Sequence, residues 1–331
     1  MIADPSLSIV AHPKFPRVSR VTEFLQHFVN GLSVGTIYAL IALGYTMVYG
    51  VLKLINFAHG DVYMVGAFSG YYLGIVGGGG APSFFRAAYV TLGAMIMCAA
   101  LGFVIERFAY RPLRNRARLT ALITAIGVSF LLEYGFQLAP WIRKPVQFPP
   151  GPSPRFFPAL IDFGGEPSIE LFGATMTKID LLGLGVALGL MLVLQFIVYK
   201  TRFGTAMRAV SFDPQVAGLM GIPVNRIISW TFMLGSALAA AAGIINASSR
   251  PKIEPLFGLI SGLKAFVAAV LGGIGSVPGA MAGGLLLGLT EEYVAGYTDS
   301  SYRDAIAFTV LILVLLLRPA GLFGRSTVEK V

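Results

Sequence analysis

Charged residues are scarce in this sequence. Only 12% of the 331 residues are Asp, Glu, Lys or Arg, whereas 56% are hydrophobic. A soluble domain carries about 25% charged residues, so this chain has too little polar surface to coat a water-soluble body of its size. The shortage excludes an ordinary soluble globular protein and predicts an integral membrane protein with several spans.

Cysteine and histidine are scarce as well. The lone Cys98 excludes an internal disulfide, and His12, His27 and His59 show no metal-ligand spacing. No GxxxxGK[ST] nucleotide-binding motif occurs, and no cluster of acids or histidines predicts a catalytic site. We therefore expect a protein that is not an enzyme and binds no metal or cofactor. If ATP drives its activity, another subunit binds the nucleotide.

Long apolar runs dominate the remaining sequence. A bilayer core requires about 20 apolar residues per helix, and the short alternating strands of a membrane barrel are absent. We predict an all-α polytopic helical bundle at 23–326 with about eight or nine transmembrane segments. The apolar runs cover residues 28–49, 57–76, 87–106, 119–139, 179–199, 227–247, 263–271, 278–294 and 304–317.

The net charge of +9 is explained by membrane orientation. Membrane proteins keep excess Lys and Arg on the cytoplasmic face, and no basic–aromatic array predicts nucleic-acid binding. We expect the basic segments 107–118, 200–226 and 318–330 on the cytoplasmic side. The outer segments are then 77–86, 248–262 and an irregular extracytoplasmic loop at 140–178. A Pro-containing extension at 1–22, expected to be disordered, and a tail at 327–331 complete the chain.

The segment 200–226 is polar and punctuated by Gly and Pro, although it lies between two long apolar runs. This pattern predicts a short amphipathic helix laid across one membrane face, where it would dock a soluble partner. The candidate docking residues are Gly204, Arg208, Asp213 and Gly221.

Two polar groups interrupt the apolar runs. Asn56, His59 and Asp61 could form the entrance or gate of a pathway, or a helix–turn–helix at the membrane surface with Asn56 as a cap. Ser129, Glu133 and Gln137 recur every four residues and form one stripe on a helix. That stripe could line a translocation path, or it could meet water or a neighbouring helix near the outer interface.

A glycine-rich segment at 272–279 predicts a discontinuous or re-entrant element, because exposed backbone in lipid must be buried in protein or line a cavity. Gly273 and Gly275 are therefore candidate pathway residues, although the small residues could instead permit close helix packing. Glu291 and Glu292 end one apolar run, and Arg303 and Asp304 begin the next. We expect these four to form a solvated hairpin turn.

Several segments together resemble one family. They are GTIYALIALGYTMVYGVLKLINFAHGDVYMVGA (35–67), ERFAYRPLR (106–114), LITAIG (122–127), KAFVAAVLGGIGSVPGAMAGGLLLG (264–288) and LILVLLLRPAGLFGR (311–325). In this order they are similar to LivH-type permeases of branched-chain amino acid ABC transporters, over about residues 24–331. Residues 1–22 extend beyond the family core, and the Pro-rich run 145–158 is peculiar to this chain.

The resemblance implies a multi-pass permease of the bacterial inner membrane. Its expected partners are a LivM-type sister permease, two cytoplasmic ATP-binding subunits and a periplasmic amino-acid-binding protein, with ATP bound only by the ATPases. It also implies that the segment 204–224 is the loop that couples to the ATPases. The expected substrates are Leu, Ile and Val, although related permeases carry amides, urea or other amino acids.

Two alternatives remain from the residues alone. A stand-alone secondary transporter or channel would need intramembrane ionisable residues or a selectivity element, and Glu133 is the candidate. A membrane-embedded enzyme would need acids, histidines or metal ligands clustered at one depth, which the sequence does not show.

Overall fold

A computed structural model of the 331-residue chain describes residues 20–76, 81–114, 116–138, 154–171, 173–318 and 320–324. The predicted tail at 327–331 lies outside these ranges, as does most of the predicted extension at 1–22. Residues 20–22 already belong to the first helix, so the bundle begins slightly before the predicted boundary.

Helices account for most of the described residues. Nine of them have 16 or more residues, and two shorter ones lie between the fifth and the eighth. In order they are α1 (Arg20–Leu52), α2 (His59–Val76), α3 (Phe84–Val104), α4 (Arg118–Leu138), α5 (Lys178–Lys200), α6 (Arg202–Phe212), α7 (Pro214–Leu219), α8 (Val224–Ser249), α9 (Phe257–Gly272), α10 (Val277–Tyr297) and α11 (Tyr302–Leu317). A π-helical turn (Ile105–Tyr110) and a 3₁₀ turn (Arg111–Leu113) prolong α3.

Four helical segments are both long and apolar enough to cross a bilayer, namely α1, α3 with its extension, α5 and α8. Two shorter apolar helices, Leu119–Gly135 and Phe257–Gly272, add to them. The prediction of an all-α polytopic membrane bundle is confirmed by this architecture. Within its most apolar window α1 is 89% buried, whereas the corresponding windows of α3 and α5 are 28% buried. Thus α1 lies in the centre of the bundle and the other two lie at its periphery.

Close helix contacts in the core depend on glycine. The central helix α1 packs antiparallel against α10, with Gly31 beside Leu289 and Gly35 beside Leu285. A Cβ at Gly31 would lie 2.9 Å from the Leu289 Cα, and one at Gly35 would lie 2.8 Å from the Leu285 Cα. Small residues spaced four apart let backbones approach in this way, which gains packing where water supplies no hydrophobic driving force.

Short strands lie at one end of the bundle, within and beyond the predicted 140–178 loop. They are β1 (Arg155–Phe156), β2 (Ser168–Leu171), β3 (Ala174–Thr177) and β4 (Lys252–Ile253). Antiparallel pairs join β1 to β4, with Arg155 opposite Ile253, and β2 to β3, with Ser168 opposite Thr177. The described part of this loop is therefore more regular than predicted, while residues 140–153 lie outside the described structure.

The two ends of α1 define the two ends of the molecule. Near its start, the Gln26 Nε2 donates a hydrogen bond of 2.8 Å to the Thr175 carbonyl oxygen in β3. Near its finish, the Gly50 carbonyl oxygen accepts a 2.5 Å hydrogen bond from the Ser211 Oγ of α6. We call these the strand end and the α6 end.

Candidate functional site

The predicted docking segment forms two short helices at the α6 end. The Thr201 hydroxyl caps α6 by accepting a 3.1 Å hydrogen bond from the Gly204 backbone N–H. The Asp213 carboxylate caps α7 by accepting hydrogen bonds from the backbone N–H groups of Gln215, at 2.8 Å, and Val216, at 3.0 Å. These caps satisfy backbone donors that a helix start leaves unpaired. They explain why a segment this short stays helical.

The α6 helix is held firmly against α5. The Arg208 guanidinium donates a hydrogen bond to the Val198 carbonyl oxygen and lies 5.6 Å from the centre of the Tyr199 ring. Gly204 lies directly against the carbonyl oxygens of Ile197 and Val198, where a Cβ would clash. A displacement of α6 is therefore transmitted to the end of α5.

The outer side of this helix pair is apolar and open. The exposed fractions are 95% for Phe212, 87% for Leu219 and 79% for Met220. Gly221 follows with a φ of +80°, a conformation that favours glycine. We call Phe212, Leu219 and Met220 the apolar knob. Its residues were not singled out from the sequence, although their position in the docking segment could have identified them.

Replacing the α7 cap tests how far Asp213 holds this segment. We expect Asp213→Ala to cost about 1 kcal/mol of local stability, which corresponds to about fivefold weaker protection of the 214–219 amides. Hydrogen exchange followed by mass spectrometry measures this. Asp213→Asn keeps the accepting oxygen and should stay within about twofold of the parent chain. Equal exchange in the two variants would contradict the capping role.

The polar group at 56–61 lies inside the bundle. Asn56 Oδ1 accepts a 2.9 Å hydrogen bond from the Tyr110 hydroxyl. The buried His59 ring lies against Gly44, which itself packs against Gly235 near the middle of α8. The imidazole Nε2 has no hydrogen-bond partner among the described residues. The start of α2 therefore lies deep in the bundle.

The two predicted polar groups meet each other. The Ser129 Oγ of α4 donates a 2.5 Å hydrogen bond to the Asp61 Oδ2 of α2. Glu133 lies one turn further along α4, is buried, and interacts with Asp61. Gln137 belongs to α4, but its side chain lies outside the described part of the structure. Asp61, Ser129 and Glu133 thus form one buried polar cluster between two helices.

Gly273 and Gly275 lie elsewhere, in the connection from α9 to α10 towards the α6 end. Both have positive φ values, +103° and +97°, which fit the tight turn between the helices. A Cβ at Gly273 would lie 2.5 Å from the Gly324 nitrogen. Nearby, the Leu322 N–H donates a 2.9 Å hydrogen bond to the Leu271 carbonyl oxygen. The structure does not bring these two glycines to the buried polar cluster.

An ion network at the α6 end was not predicted. The Glu106 carboxylate is fully buried and accepts hydrogen bonds from Arg111, at 2.9 Å, and from Arg114. The Ser229 hydroxyl also donates to it at 2.6 Å. The π-helical turn places Glu106 and Arg111 together, a geometry that sequence spacing for an α-helix does not predict.

A second buried ion pair joins three helices near the strand end. The Lys264 Nζ lies 3.2 Å from the Glu291 Oε1 and 2.7 Å from the Asp304 Oδ1. The Tyr38 hydroxyl donates a 2.9 Å hydrogen bond to the other Glu291 oxygen. Glu292 is also buried and pairs with Arg303 at 2.7 Å. The prediction of a solvated turn was wrong for both glutamates, because distant cations compensate their burial.

The described residues contain no group of three or more His, Cys, Asp or Glu side chains placed to hold a metal ion. What the arrangement offers instead is a rigid apolar bundle with buried polar pairs and an exposed apolar knob at one end. Those features suit mechanical coupling and passage of a solute more than bond-making chemistry.

Comparison with known proteins gives a consistent result. Residues 27–315 match the family model described as "Branched-chain amino acid transport system / permease component". The high-affinity branched-chain amino acid transport system permease protein LivH of Salmonella typhimurium is 43% identical over 313 residues, covering 93% of this chain and 98% of that protein. BraD of Pseudomonas aeruginosa, described in the same words, is 43% identical and covers 94% of this chain and 99% of its own.

More distant proteins also match. A LivH-type permease of Methanocaldococcus jannaschii is 28% identical and covers 86% of this chain and 88% of that protein. Among solved structures, an ABC transporter of the metal-chelate type in an inward-facing conformation covers 91% of each chain at 17% identity. Its TM-score of 0.46 is too low to support an argument.

Proposed function

Because the chain belongs to the permease-component family of branched-chain amino acid transport systems, we propose that it forms part of the translocation path of an ABC importer. In this proposal the substrates are Leu, Ile, Val or closely related amino acids or amides. The other subunits are a LivM-type sister permease, two cytoplasmic ATP-binding subunits and a periplasmic amino-acid-binding protein. The complex lies in the bacterial inner membrane, with the α6 end facing the cytoplasm.

The observation that carries the proposal is the apolar knob. A large apolar surface on a capped, polar-flanked helix pair is unfavourable in water unless a partner covers it. The helix pair also lies outside the main bundle and is tied to α1 and α5 through Ser211 and Arg208. A soluble ATPase that closes on ATP binding can therefore move the ends of two transmembrane helices by pushing on this surface.

The proposed mechanism is alternating access. The ATPases and the binding protein each contact two conformations of the permease differently, and this difference biases the equilibrium between the conformations. The permease then needs no tight substrate site of its own. An apolar interior suits the side chains of Leu, Ile and Val, and sparse polar groups such as the Asp61–Ser129 pair are available for the charged ends of the amino acid.

Reconstitution tests this function. Liposomes containing the chain, its sister permease and the ATPases should accumulate labelled leucine when ATP reaches the ATPases and binding protein is present on the other side. We expect uptake to fall at least tenfold when ATP is withheld. ATP-independent uptake at the full rate would overturn the proposal.

A variant of the apolar knob tests the docking surface separately. We expect Leu219→Asp to reduce co-purification of the ATPase subunits at least tenfold, because a charge then faces an apolar partner. Phe156→Asp is the matched control, since Phe156 is 76% exposed but lies in β1 at the strand end. Loss of the ATPases from both variants to the same extent would contradict docking at the α6 end.

A secondary transporter is the other candidate, and the buried cluster of Asp61, Ser129 and Glu133 favours it. Carboxyl groups inside a membrane protein commonly mark ion or proton pathways. The purified chain alone in liposomes distinguishes the two functions. Leucine uptake driven only by a sodium or proton gradient supports ion coupling, whereas its absence together with ATP-driven uptake by the full complex supports the importer.

A further inference from the structure

A groove at the α6 end combines a basic rim with an apolar wall. It lies between the end of α3 and the start of α8 and encloses about 720 Å³. This volume is within the range of about 300–1,000 Å³ that ligand pockets occupy. The groove belongs to neither the apolar knob nor the buried polar cluster, so its chemistry is separate from the proposed transport function.

Three guanidinium groups line the rim. Arg111 is committed to the Glu106 carboxylate. Arg107 and Arg226 are exposed, and neither forms an ion pair with any residue that the structure describes. Two unpaired guanidiniums on different helices beside a third create a local positive potential. Guanidinium groups are well suited to binding phosphate oxygens through paired hydrogen bonds.

The wall below the rim is apolar. It is formed by Phe103 of α3 and by Trp230 and Met233 of α8. Phe103 and Trp230 are exposed large side chains. Tryptophan concentrates where the headgroup region meets the hydrocarbon core. The groove therefore offers cations at one level and a hydrocarbon-like surface directly beneath them, which complements a molecule with an anionic head and an apolar chain.

We infer that this groove binds one anionic phospholipid, with its phosphodiester at Arg107 and Arg226 and an acyl chain along Phe103, Trp230 and Met233. General attraction between basic residues and the anionic leaflet is spread over a membrane face and contributes about 1 kcal/mol per residue near the surface. A groove that joins a charged rim to an apolar wall predicts selectivity for the headgroup as well as retention of the chain. Both properties can be measured.

Native mass spectrometry of the full chain in detergent micelles tests the site. With equal amounts of dioleoyl phosphatidylglycerol and dioleoyl phosphatidylcholine, the parent chain should retain at least five times more of the anionic lipid. Arg107→Gln with Arg226→Gln should bring this ratio to within twofold of one. Lys200→Gln with Arg202→Gln removes two charges from the same end but outside the groove, and it should leave the preference unchanged.

Two further arms keep the inference open to contradiction. Arg107→Lys with Arg226→Lys keeps the charge and should retain at least half of the preference, even if the Gln variant proves unstable. Excess water-soluble glycerophosphate should not displace the lipid, because the apolar wall contributes to binding. Equal retention of both lipids by the parent chain, loss of preference in the control double variant, or displacement by glycerophosphate would each overturn the inference.

Discussion

Gly284→Leu should abolish accumulation of the folded protein. Gly284 lies against the backbone of Ala39, and a Cβ there would overlap the Ala39 main chain. Because backbone atoms cannot rotate away as a side chain can, α10 and the central helix α1 would have to separate. Overpacking of a core typically costs about 1–3 kcal/mol and more where a backbone must shift. Here the contacts at Gly31 and Gly35 along the same seam would be disturbed as well.

We expect at least a tenfold loss of monodisperse protein after detergent extraction, measured by size-exclusion chromatography at matched synthesis. Gly189→Leu is the matched control, because Gly189 of α5 has no neighbouring atom within 4 Å of the position of a Cβ. Leucine also has a higher helix propensity than glycine, by about 0.8 kcal/mol. The control should therefore accumulate like the parent chain, and equal losses in the two variants would exclude helix packing as the cause.

Glu106→Gln should cause the second-largest loss, about 3–5 kcal/mol of stability. The Glu106 side chain is 0% exposed, and it balances Arg111 and Arg114, whose side chains are 23% and 16% exposed. An isosteric amide keeps the shape but leaves two largely buried guanidinium groups without a counter-charge. Reversible unfolding in mixed detergent micelles, with increasing sodium dodecyl sulfate, gives the change in the free energy of unfolding.

Two variants separate the effect of charge from the effect of shape and exposure. Adding Arg111→Met to Glu106→Gln removes one orphaned cation and should restore part of the lost stability, because neighbouring mutations are not additive. Glu254→Gln breaks an exposed pair with Lys252, whose side chains are 38% and 60% exposed. Such a pair contributes about 0–1 kcal/mol. A loss from Glu254→Gln as large as that from Glu106→Gln would contradict the importance of burial.

The sequence predicted the architecture well because composition and run length determine it. Scarce charge and repeated apolar runs were sufficient for a polytopic helical bundle, and the ordered motifs identified the family. The segment 200–226 was predicted to be helical on similar grounds, since a short polar stretch between two apolar runs is typical of an amphipathic helix at a membrane face. Its role in coupling remains a prediction.

The buried ion pairs could not be predicted because they join residues far apart in the chain. Lys264 and Glu291 are separated by 27 positions, and Glu291 and Glu292 resembled solvated turn residues because their partners lie on other helices. Glu106 was missed for a local reason: a π-helical turn brings Arg111, five residues later, onto its side chain. The pairing of Asp61 with Ser129, 68 positions apart, likewise depends on how α2 and α4 pack.

One continuous helix joins the surfaces proposed for the binding protein and the ATPases. From Gln26 to Gly50, α1 extends about 36 Å at 1.5 Å per residue, with a hydrogen bond to β3 at one end and to α6 at the other. Any coupling carried by such a rod is reciprocal. If the nucleotide state alters the affinity for the binding protein by some factor, occupancy by the binding protein must alter nucleotide affinity by that same factor.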